Sequence, residues 1–168
     1  MPKHTIDETD SAILNLLQED GRASNVKLAE ILNLSETPCW RRLKRLEEEG
    51  YIQSYQAHLD RKKLDLGVIA FVELSFSTHA EETLVQFEQA VQDIPEVLFC
   101  HNISGASDYL LQVVTENLES YELLSRNVIR RLPGVTSMKT SFSLKEIKAS
   151  TKLPISLVGN PIKKGPFG

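Results

Sequence analysis

Four basic side chains in the N-terminal third are the first residues of this sequence that could do chemistry. Arg41, Arg42, Lys44 and Arg45 fall within five residues that contain no acid. Grouped guanidinium and ammonium groups attract the phosphates of a nucleic acid, because they concentrate positive charge on one face. The charge pattern alone is also typical of an ordinary solvated helix face.

The overall charge balance argues mildly against a nucleic-acid binder. The net charge is −4 at pH 7, and residues 1–60 carry all of it, with 7 Lys and Arg against 11 Asp and Glu. Residues 61–168 hold 12 residues of each sign. Phosphate contact requires a basic face and not a basic domain, so the local cluster keeps the nucleic-acid hypothesis open.

A second candidate site is the short segment Gly105-Ala106-Ser107-Asp108. Glycine lets the backbone approach a ligand closely, and exposed N–H groups can hold a carboxylate. A carboxylate such as that of Asp108 suits an α-ammonium group, either directly or by orienting the loop. Because Gly, Ser and Asp are also the usual residues of a hairpin turn, the residues alone leave both interpretations open.

The sequence carries no recognisable motif for catalysis or metal binding. His58, His79 and His101 lie far apart, and there is no Ser/His/Asp motif, Gly-rich phosphate loop or His-x-x-x-His spacing. Cys39 and Cys100 form no Cys-x-x-Cys pair, and we interpret both as small buried apolar residues. We therefore expect neither an enzyme nor a cofactor or metal.

Composition limits the class of protein. A length of 168 residues with 41% hydrophobic and 25% charged residues is typical of one large or two small globular domains. No run of about 18 apolar residues occurs, and the N-terminus lacks the apolar core of a signal peptide. We expect a cytoplasmic protein.

Helical periodicity predicts three short helices, over residues 8–19, 25–32 and 36–49. The basic cluster lies on the third of them, after a turn of about three residues. Two short helices joined by a tight turn, the second with cations outward, form the helix-turn-helix pattern, whose second helix enters the major groove of DNA. The candidate DNA-binding residues are Ser24, Ser35, Thr37, Arg41, Arg42, Lys44 and Arg45.

Several finer expectations concern this half of the chain. We predict that Trp40 is buried as an anchor under the third helix and that Arg42 forms a salt bridge with Glu36 or Glu47. Alternation of apolar and polar residues over 51–59 predicts a strand or small wing. Further predictions are a capping box of Asp7 with Asp10, N-caps at Ser24 and Ser35, and inward-facing Leu28, Ala29, Ile31 and Leu32.

The second half predicts alternating strands and helices in the order βαββαβ, the ferredoxin-like split βαβ arrangement. Such a sheet has one face under two helices and one bare face, and an apolar bare face is a dimer surface. The predicted strands cover residues 68–77, 97–104, 109–115 and 135–147, and the predicted helices cover residues 80–93 and 118–131.

The fold class predicted is therefore α+β, with two domains. A winged helix-turn-helix over residues 1–60 is followed by a polar linker over 61–67 and the ferredoxin-like domain over 68–151. Residues 152–168 form a C-terminal tail. Its last ten residues are rich in Gly, Pro and Lys, and we expect them to be flexible unless a partner subunit orders them.

The order and spacing of several short segments resemble the Lrp/AsnC family of leucine-responsive and asparagine-responsive regulators, over residues 6–157. The segments that carry the resemblance are Ser24-Asn25-Val26, Leu34-Ser35-Glu36-Thr37-Pro38-Cys39, Arg42-Leu43-Lys44-Arg45-Leu46-Glu47, Gly50-Tyr51-Ile52, Tyr55-Gln56-Ala57-His58-Leu59-Asp60, Gly105-Ala106-Ser107-Asp108-Tyr109-Leu110-Leu111 and Leu132-Pro133-Gly134-Val135.

The resemblance implies dimers, commonly assembled into octamers, that bind double-stranded DNA and regulate amino-acid metabolism genes. It also implies an amino-acid effector bound between subunits near the segment from Gly105 to Asp108, which matches the family's Gly-x-x-Asp. Small and apolar candidates suggest Leu or Met as the effector. The implied effector-binding residues are His101, Gly105, Ser107, Asp108, Leu118, Ser141 and Phe142.

Two alternatives stay open on the sequence. A ferredoxin-like domain can be the allosteric module of a biosynthetic enzyme, although no catalytic domain accompanies it here. An architectural DNA-organising protein would bind any duplex in a salt-dependent manner without responding to amino acids.

Overall fold

The computed structural model describes residues 5–77 and 80–155, which divide into two compact units. One unit comprises residues 5–58 together with 149–155, and the other is Leu59–Lys148, of which 78 and 79 lie outside the described residues. The boundary lies between His58 and Leu59, before the linker that we predicted over 61–67. Part of that segment is a 3₁₀ turn, Arg61–Leu64.

The N-terminal unit contains three helices, α1 (Glu8–Glu19), α2 (Asn25–Ile31) and α3 (Glu36–Glu48). The predicted bounds of α1 are confirmed, and those of α2 and α3 are each one residue too long. Asn33 has a φ of 53°, which turns the chain sharply between α2 and α3.

The three helices bury two small groups of apolar side chains. Ile13, Leu14 and Leu46 join α1 to α3, and a second group joins α2 to α3. That second group is Leu28, Ala29 and Cys39, which confirms Cys39 as a buried residue. The prediction for Ile31 is wrong: its side chain, on the last residue of α2, is 50% exposed.

The predicted strand over residues 51–59 is absent from the described chain, where residues 53–60 form no helix or strand and are exposed. Alternating side chains specify a strand only where a second strand is available to pair with its backbone, and none of the described strands pairs with this segment.

A C-terminal segment, residues 149–155, packs onto helix α1. Ile155 is half-buried against the cluster of Ile13, Leu14 and Leu46, and the Lys152 Nζ lies 2.6 Å from the Glu19 carboxylate. The side-chain amide of Gln18 accepts a hydrogen bond from the Leu153 N–H at 2.5 Å and donates one to the Leu153 carbonyl at 3.1 Å. The first residues of the predicted tail are thus part of the N-terminal unit, while residues 156–168 lie outside the described residues.

The second unit has the predicted order βαββαβ. Its elements are β1 (Val68–Phe76), α4 (Glu81–Gln92), β2 (Val97–Asn102), β3 (Tyr109–Thr115), α5 (Leu118–Asn127) and β4 (Val135–Phe142). The strands form one antiparallel sheet in the order β2-β3-β1-β4. The predicted α+β fold class, with a ferredoxin-like second domain, is confirmed.

Three predicted elements of this unit end two or more residues early, whereas β1 and α4 each end one residue before their predicted limits. The second and last strands stop at Asn102 and Phe142. Helix α5 ends at Asn127, and a 3₁₀ turn, Ile129–Arg131, follows it. In that turn Ile129 is buried and points into the core.

Both helices cover the same face of the sheet. Alternate residues of β1 and β3, such as Val72, Leu74 and Leu111, are fully buried beneath them. Phe87 of α4 lies edge-on to Phe76, with 5.0 Å between the ring centroids. The opposite face of the sheet has no helix over it in the described residues. None of the helices in residues 5–77 and 80–155 is long and apolar enough to cross a membrane.

Candidate functional sites

Helix α3 presents one face to the core and a cationic face to solvent. Cys39 and Leu46 are buried and lie seven residues apart, so they fix the inward direction of the helix. At about 100° per residue, Thr37, Arg41 and Lys44 project to the opposite side, where all three are exposed. This side of α3 is the surface that a major groove could accept.

Arg42 and Arg45 occupy a flank of α3 and form salt bridges with two acidic residues at the N-terminus of α1, the N-cap Asp7 and Asp10 of the first turn. Arg42 Nη1 lies 2.8 Å from Asp10 Oδ1 and 2.6 Å from Asp7 Oδ2, and Arg45 Nη2 lies 2.5 Å from Asp10 Oδ2. The prediction that Arg42 pairs with Glu36 or Glu47 is wrong. The actual partners are distant in sequence, which helical spacing within α3 cannot reveal.

Asp7 and Asp10 also form the predicted capping box of α1. Asp7 Oδ1 accepts a hydrogen bond from the Asp10 N–H at 2.8 Å, and Asp10 Oδ2 accepts one from the Asp7 N–H at 3.2 Å. The Asp10 N–H and the guanidinium of Arg42 together lower the pKa of Asp7 below its usual value. The carboxylates of Asp7 and Asp10 raise the pKa of Arg42.

The other flank of α3 carries an exposed tryptophan. Trp40 is 54% exposed, so the prediction of a buried anchor is wrong. It lies about 100° around the helix from Cys39, beside the core direction and not within it. On the same flank Glu47 accepts a hydrogen bond from the Tyr55 hydroxyl at 3.0 Å, and partial desolvation together with that bond raises the pKa of Tyr55 to about 12.

The two predicted N-cap serines behave differently. The Ser24 hydroxyl accepts a hydrogen bond from the Lys27 N–H at 3.2 Å, which confirms the cap of α2. Ser35 occupies the N-cap position of α3, yet its hydroxyl accepts no hydrogen bond from the first turn. The expected side-chain cap at Ser35 is therefore wrong, although its position before the helix is right.

The segment from Gly105 to Asp108 joins β2 to β3 at the end of the sheet where β1 finishes. The Asp108 carboxylate accepts a hydrogen bond from the Phe76 N–H at 2.8 Å, and the Asp108 N–H donates one to the Leu74 carbonyl at 2.9 Å. Gly105 is exposed and has a φ of 142°, a conformation that residues with a Cβ rarely adopt. Of the two roles open to Asp108, orienting the loop has direct geometric support.

The sequence did not single out Glu73, which holds the same loop from the bare face. The Ser107 hydroxyl donates a hydrogen bond to Glu73 Oε2 at 3.0 Å, and Lys139 Nζ lies 3.6 Å from Glu73 Oε1. The strand alternation of β1 could have placed Glu73 on the bare face. Its pairing with Ser107 depends on a contact between residues 34 positions apart.

The other four predicted effector residues lie on the strands and on helix α5 of the second unit. His101 and Ser141 are exposed on strands of the sheet, where His101 is stacked with Phe99. Phe142 packs edge-on against Tyr121 of α5, with 5.0 Å between centroids, and Leu118 begins that helix.

The described chain does not bring Leu118, Ser141 and Phe142 together with the loop, whereas His101 pairs with Leu110, opposite Glu73, at the loop end of the sheet. Phe142 pairs with Ala70, while the loop contacts Leu74 and Phe76. Leu74 lies four residue steps along the extended strand from Ala70, a distance of about 13 Å. One chain therefore carries the two halves of the predicted site at opposite ends of its sheet.

The bare face of the sheet contains a shallow, largely apolar depression. Its volume is about 330 Å³, and it is lined by Phe71, Phe99, His101, Leu110 and Gln112. Phe71 and Phe99 are respectively 40% and 50% exposed, which is costly for large aromatic side chains in water. The face has the composition of a surface that another protein covers.

The described residues contain no group of three or more His, Cys, Asp or Glu arranged to hold a metal ion. His79 lies outside those residues. Cys100 is half-buried, and desolvation raises the pKa of its thiol, so it is not a reactive thiolate at neutral pH.

Comparison with known protein families matches both units. A model described as winged helix-turn-helix DNA-binding matches residues 6–53, and one described as the Lrp/AsnC ligand binding domain matches residues 69–153. Leucine-responsive regulatory proteins of Escherichia coli K12 and Klebsiella pneumoniae are each 41% identical to the chain over 154 residues. Each alignment covers 92% of this chain and 94% of the relative.

Solved structures with the same fold are also similar along most of their length. A transcriptional regulator of Neisseria meningitidis, in complex with L-Met, is 39% identical with a TM-score of 0.86, covering 91% of this chain and 99% of that one. An AsnC family transcriptional regulator of Agrobacterium tumefaciens is 35% identical with a TM-score of 0.86, covering 90% and 99%.

Proposed function

The chain belongs to the Lrp/AsnC family of DNA-binding transcription regulators. From this premise we propose that an amino acid, bound between two copies of its second unit, changes its affinity for DNA. It is a regulator with an amino-acid-binding domain and not an enzyme. The genes under its control are those of amino-acid metabolism, and it works in the cytoplasm.

Helix α3 enters the major groove in this proposal. The observation that carries it is the projection of Thr37, Arg41 and Lys44 away from the buried Cys39 and Leu46, on the second helix of a helix-turn-helix. Residues near the N-terminus of such a helix contact base edges, and cations on its outer side contact phosphates. The N-termini of α2 and α3, at Ser24 and Ser35, present backbone N–H groups that suit a phosphate.

The effector is an amino acid with a medium-sized apolar side chain, Leu or Met. The similarity to leucine-responsive regulators and to a regulator in complex with L-Met supports this choice. The apolar character of Leu118 and Phe142 agrees with it, because apolar side chains complement a ligand of that kind.

A second copy of the chain completes the effector site. Gly105, Ser107 and Asp108 of one copy face residues at the other end of the sheet, such as Leu118 and Phe142, of another. This arrangement is supported by the separation of about 13 Å along β1 between the two groups. The exposed aromatic residues of the bare face support a homodimer formed through the sheets, and such dimers assemble into an octamer.

A thermal-shift screen of the twenty amino acids tests the proposal. A ligand that binds only the folded protein raises its midpoint of unfolding, so Leu or Met should raise it while their D-enantiomers should not. Asp108→Ala is the matched variant, and the shift should disappear in it. A screen in which no amino acid changes the midpoint of the wild-type protein at millimolar concentration would contradict the proposal.

A further inference from the structure

We propose that Asp10 is a positioning residue that limits how strongly α3 attracts DNA, by holding two of its four cations, Arg42 and Arg45, against α1. This inference rests on the proposed role of α3 in the major groove. Asp10 lies on α1 and is 1% exposed, so it does not itself reach DNA. Its effect is exerted through the guanidinium groups of Arg42 and Arg45.

The geometry makes Asp10 the shared partner of both arginines. Each oxygen of its carboxylate accepts a hydrogen bond from one arginine: Oδ1 accepts from Arg42 at 2.8 Å, and Oδ2 accepts from Arg45 at 2.5 Å. An ionised carboxylate with almost no contact with water is stable only when cations and hydrogen bonds replace that water. The pairs are therefore strong constraints on where the two arginines point.

The local charge balance follows from these pairs. Asp7 and Asp10 carry two negative charges, and they lie against the two positive charges of Arg42 and Arg45. This four-residue cluster is electrically neutral, although the sequence alone suggests four cations on one face. Arg41 and Lys44 are the cations of α3 with exposed side chains on its outer side.

Lys44 is weakly paired in comparison. Its Nζ lies 3.7 Å from Glu47 Oε2, and both side chains are accessible to water, where such a pair contributes little. No described partner of Arg41 is a carboxylate within salt-bridge distance. Arg41 and Lys44 therefore dominate phosphate attraction, while Arg42 and Arg45 hold the helix to α1.

A neutral cluster beside the recognition surface favours selectivity over raw attraction. Phosphate contacts raise affinity for every duplex equally, whereas base contacts discriminate among sequences. When two arginines are held away from phosphates, the affinity for DNA of any sequence falls. Base contacts by residues such as Thr37 then contribute a larger share of the binding free energy. Removing the Asp10 charge should reverse this balance.

Salt titration of DNA binding tests the inference with Asp10→Asn, measured on full-length protein with a duplex of random sequence. Asparagine keeps an oxygen that accepts hydrogen bonds but removes the charge, so Arg45 loses its carboxylate partner and can turn to phosphates, while Arg42 still lies 2.6 Å from Asp7 Oδ2. The slope of log K against log salt should become steeper by about 0.9, the contribution of one released arginine. At low salt, affinity for the random duplex should rise about tenfold.

Glu122→Gln is the matched control, because it changes the net charge equally and releases Arg126 of α5, which lies 3.4 Å from Glu122 in the other unit. Its slope should equal that of the wild-type protein. If Asp10→Asn binds with an unchanged or shallower slope while remaining folded, the inference is wrong. A merely structural role would weaken binding without steepening the slope.

Arginine variants keep the inference testable if Asp10→Asn does not fold. Arg41→Gln should make the slope shallower by about 0.9, whereas Arg42→Gln should leave it nearly unchanged. Equal losses in both variants would overturn the inference but would support the placement of α3 on DNA. No change in Arg41→Gln would instead contradict the proposed role of α3.

Discussion

The carboxylate of Asp108 accepts a hydrogen bond from the Phe76 N–H at 2.8 Å, which ties the loop after β2 to the end of β1. The backbone N–H of Asp108 makes a second bond to β1, at the Leu74 carbonyl. The loop that carries Gly105 is thus held at its C-terminal end by the residue that the sequence suggested as a ligand for an α-ammonium group.

Asp108→Ala should abolish the amino-acid response while leaving basal DNA binding intact. Alanine removes the bond to Phe76, and a hydrogen bond to a charged group contributes about 1.5–3 kcal/mol, enough to release the loop. A gel-shift titration with Leu and Met measures the response. Asp108→Asn, which keeps one oxygen for the Phe76 N–H, should retain part of it. A normal response in Asp108→Ala would show that the effector site lies elsewhere.

Arg41→Ala should weaken DNA binding by about tenfold or more and leave the oligomeric state unchanged. The guanidinium group is exposed on the outer side of α3, so its loss removes a phosphate or base contact worth about 1–3 kcal/mol without disturbing the core. Fluorescence anisotropy with labelled DNA measures the affinity, and sedimentation measures the assembly. Arg126→Ala, on α5, is the control and should bind DNA as the wild-type protein does.

Local patterns predicted the elements of this fold well, because caps and apolar spacing act over a few residues. The capping box of Asp7 with Asp10, the short turn between α2 and α3 and the limits of α1 all follow from adjacent residues. The prediction of a strand over residues 51–59 was wrong because a strand needs a second strand to pair with, and the alternation of apolar and polar residues does not specify one. The prediction that Trp40 is buried was wrong because a large aromatic residue that lies beside the core direction of its helix can remain exposed.

The sequence predicted which residue types form the candidate sites but not which side chains pair with one another. Cationic spacing identified the cluster on α3, yet the pairing of Arg42 and Arg45 with Asp10 joins residues more than thirty positions apart. The same limit concealed the contact between Ser107 and Glu73. Sequence spacing reports neighbours on one element, whereas these contacts depend on how two elements pack.

Gly134→Ala should destabilise the second unit by about 2–4 kcal/mol. Gly134 has a φ of 79°, and an added Cβ would lie 2.6 Å from Phe76 Cδ1 and 2.7 Å from Thr83 Cγ2. The cost of backbone strain is therefore added to the cost of steric overlap in the core. Calorimetric unfolding at fixed protein concentration measures the change. Gly50→Ala is the control for backbone strain alone, since Gly50 has a φ of 76° and nothing lies within 4 Å of its added Cβ. Equal losses in the two variants would refute the steric argument.

Ile155→Ala should destabilise the N-terminal unit by about 1–2 kcal/mol, because the side chain is half-buried against the α1 and α3 cluster. Trp40 is the only tryptophan of the chain, so its fluorescence during urea unfolding reports on this unit. Leu153→Ala is the matched control. Leu153 bonds to Gln18 through its backbone and its side chain is exposed, so its loss should matter little. An Ile155→Ala protein as stable as Leu153→Ala would mean that the segment does not pack on α1.

The most direct test of the account is the affinity of the full-length protein for an operator duplex selected from a random pool, compared with an unselected duplex, with and without each amino acid. The account predicts tighter binding to the selected duplex and a change in that affinity with Leu or Met, which Asp108→Ala abolishes. Equal affinity for both duplexes, unaltered by any amino acid, would contradict it and favour an architectural DNA-binding protein.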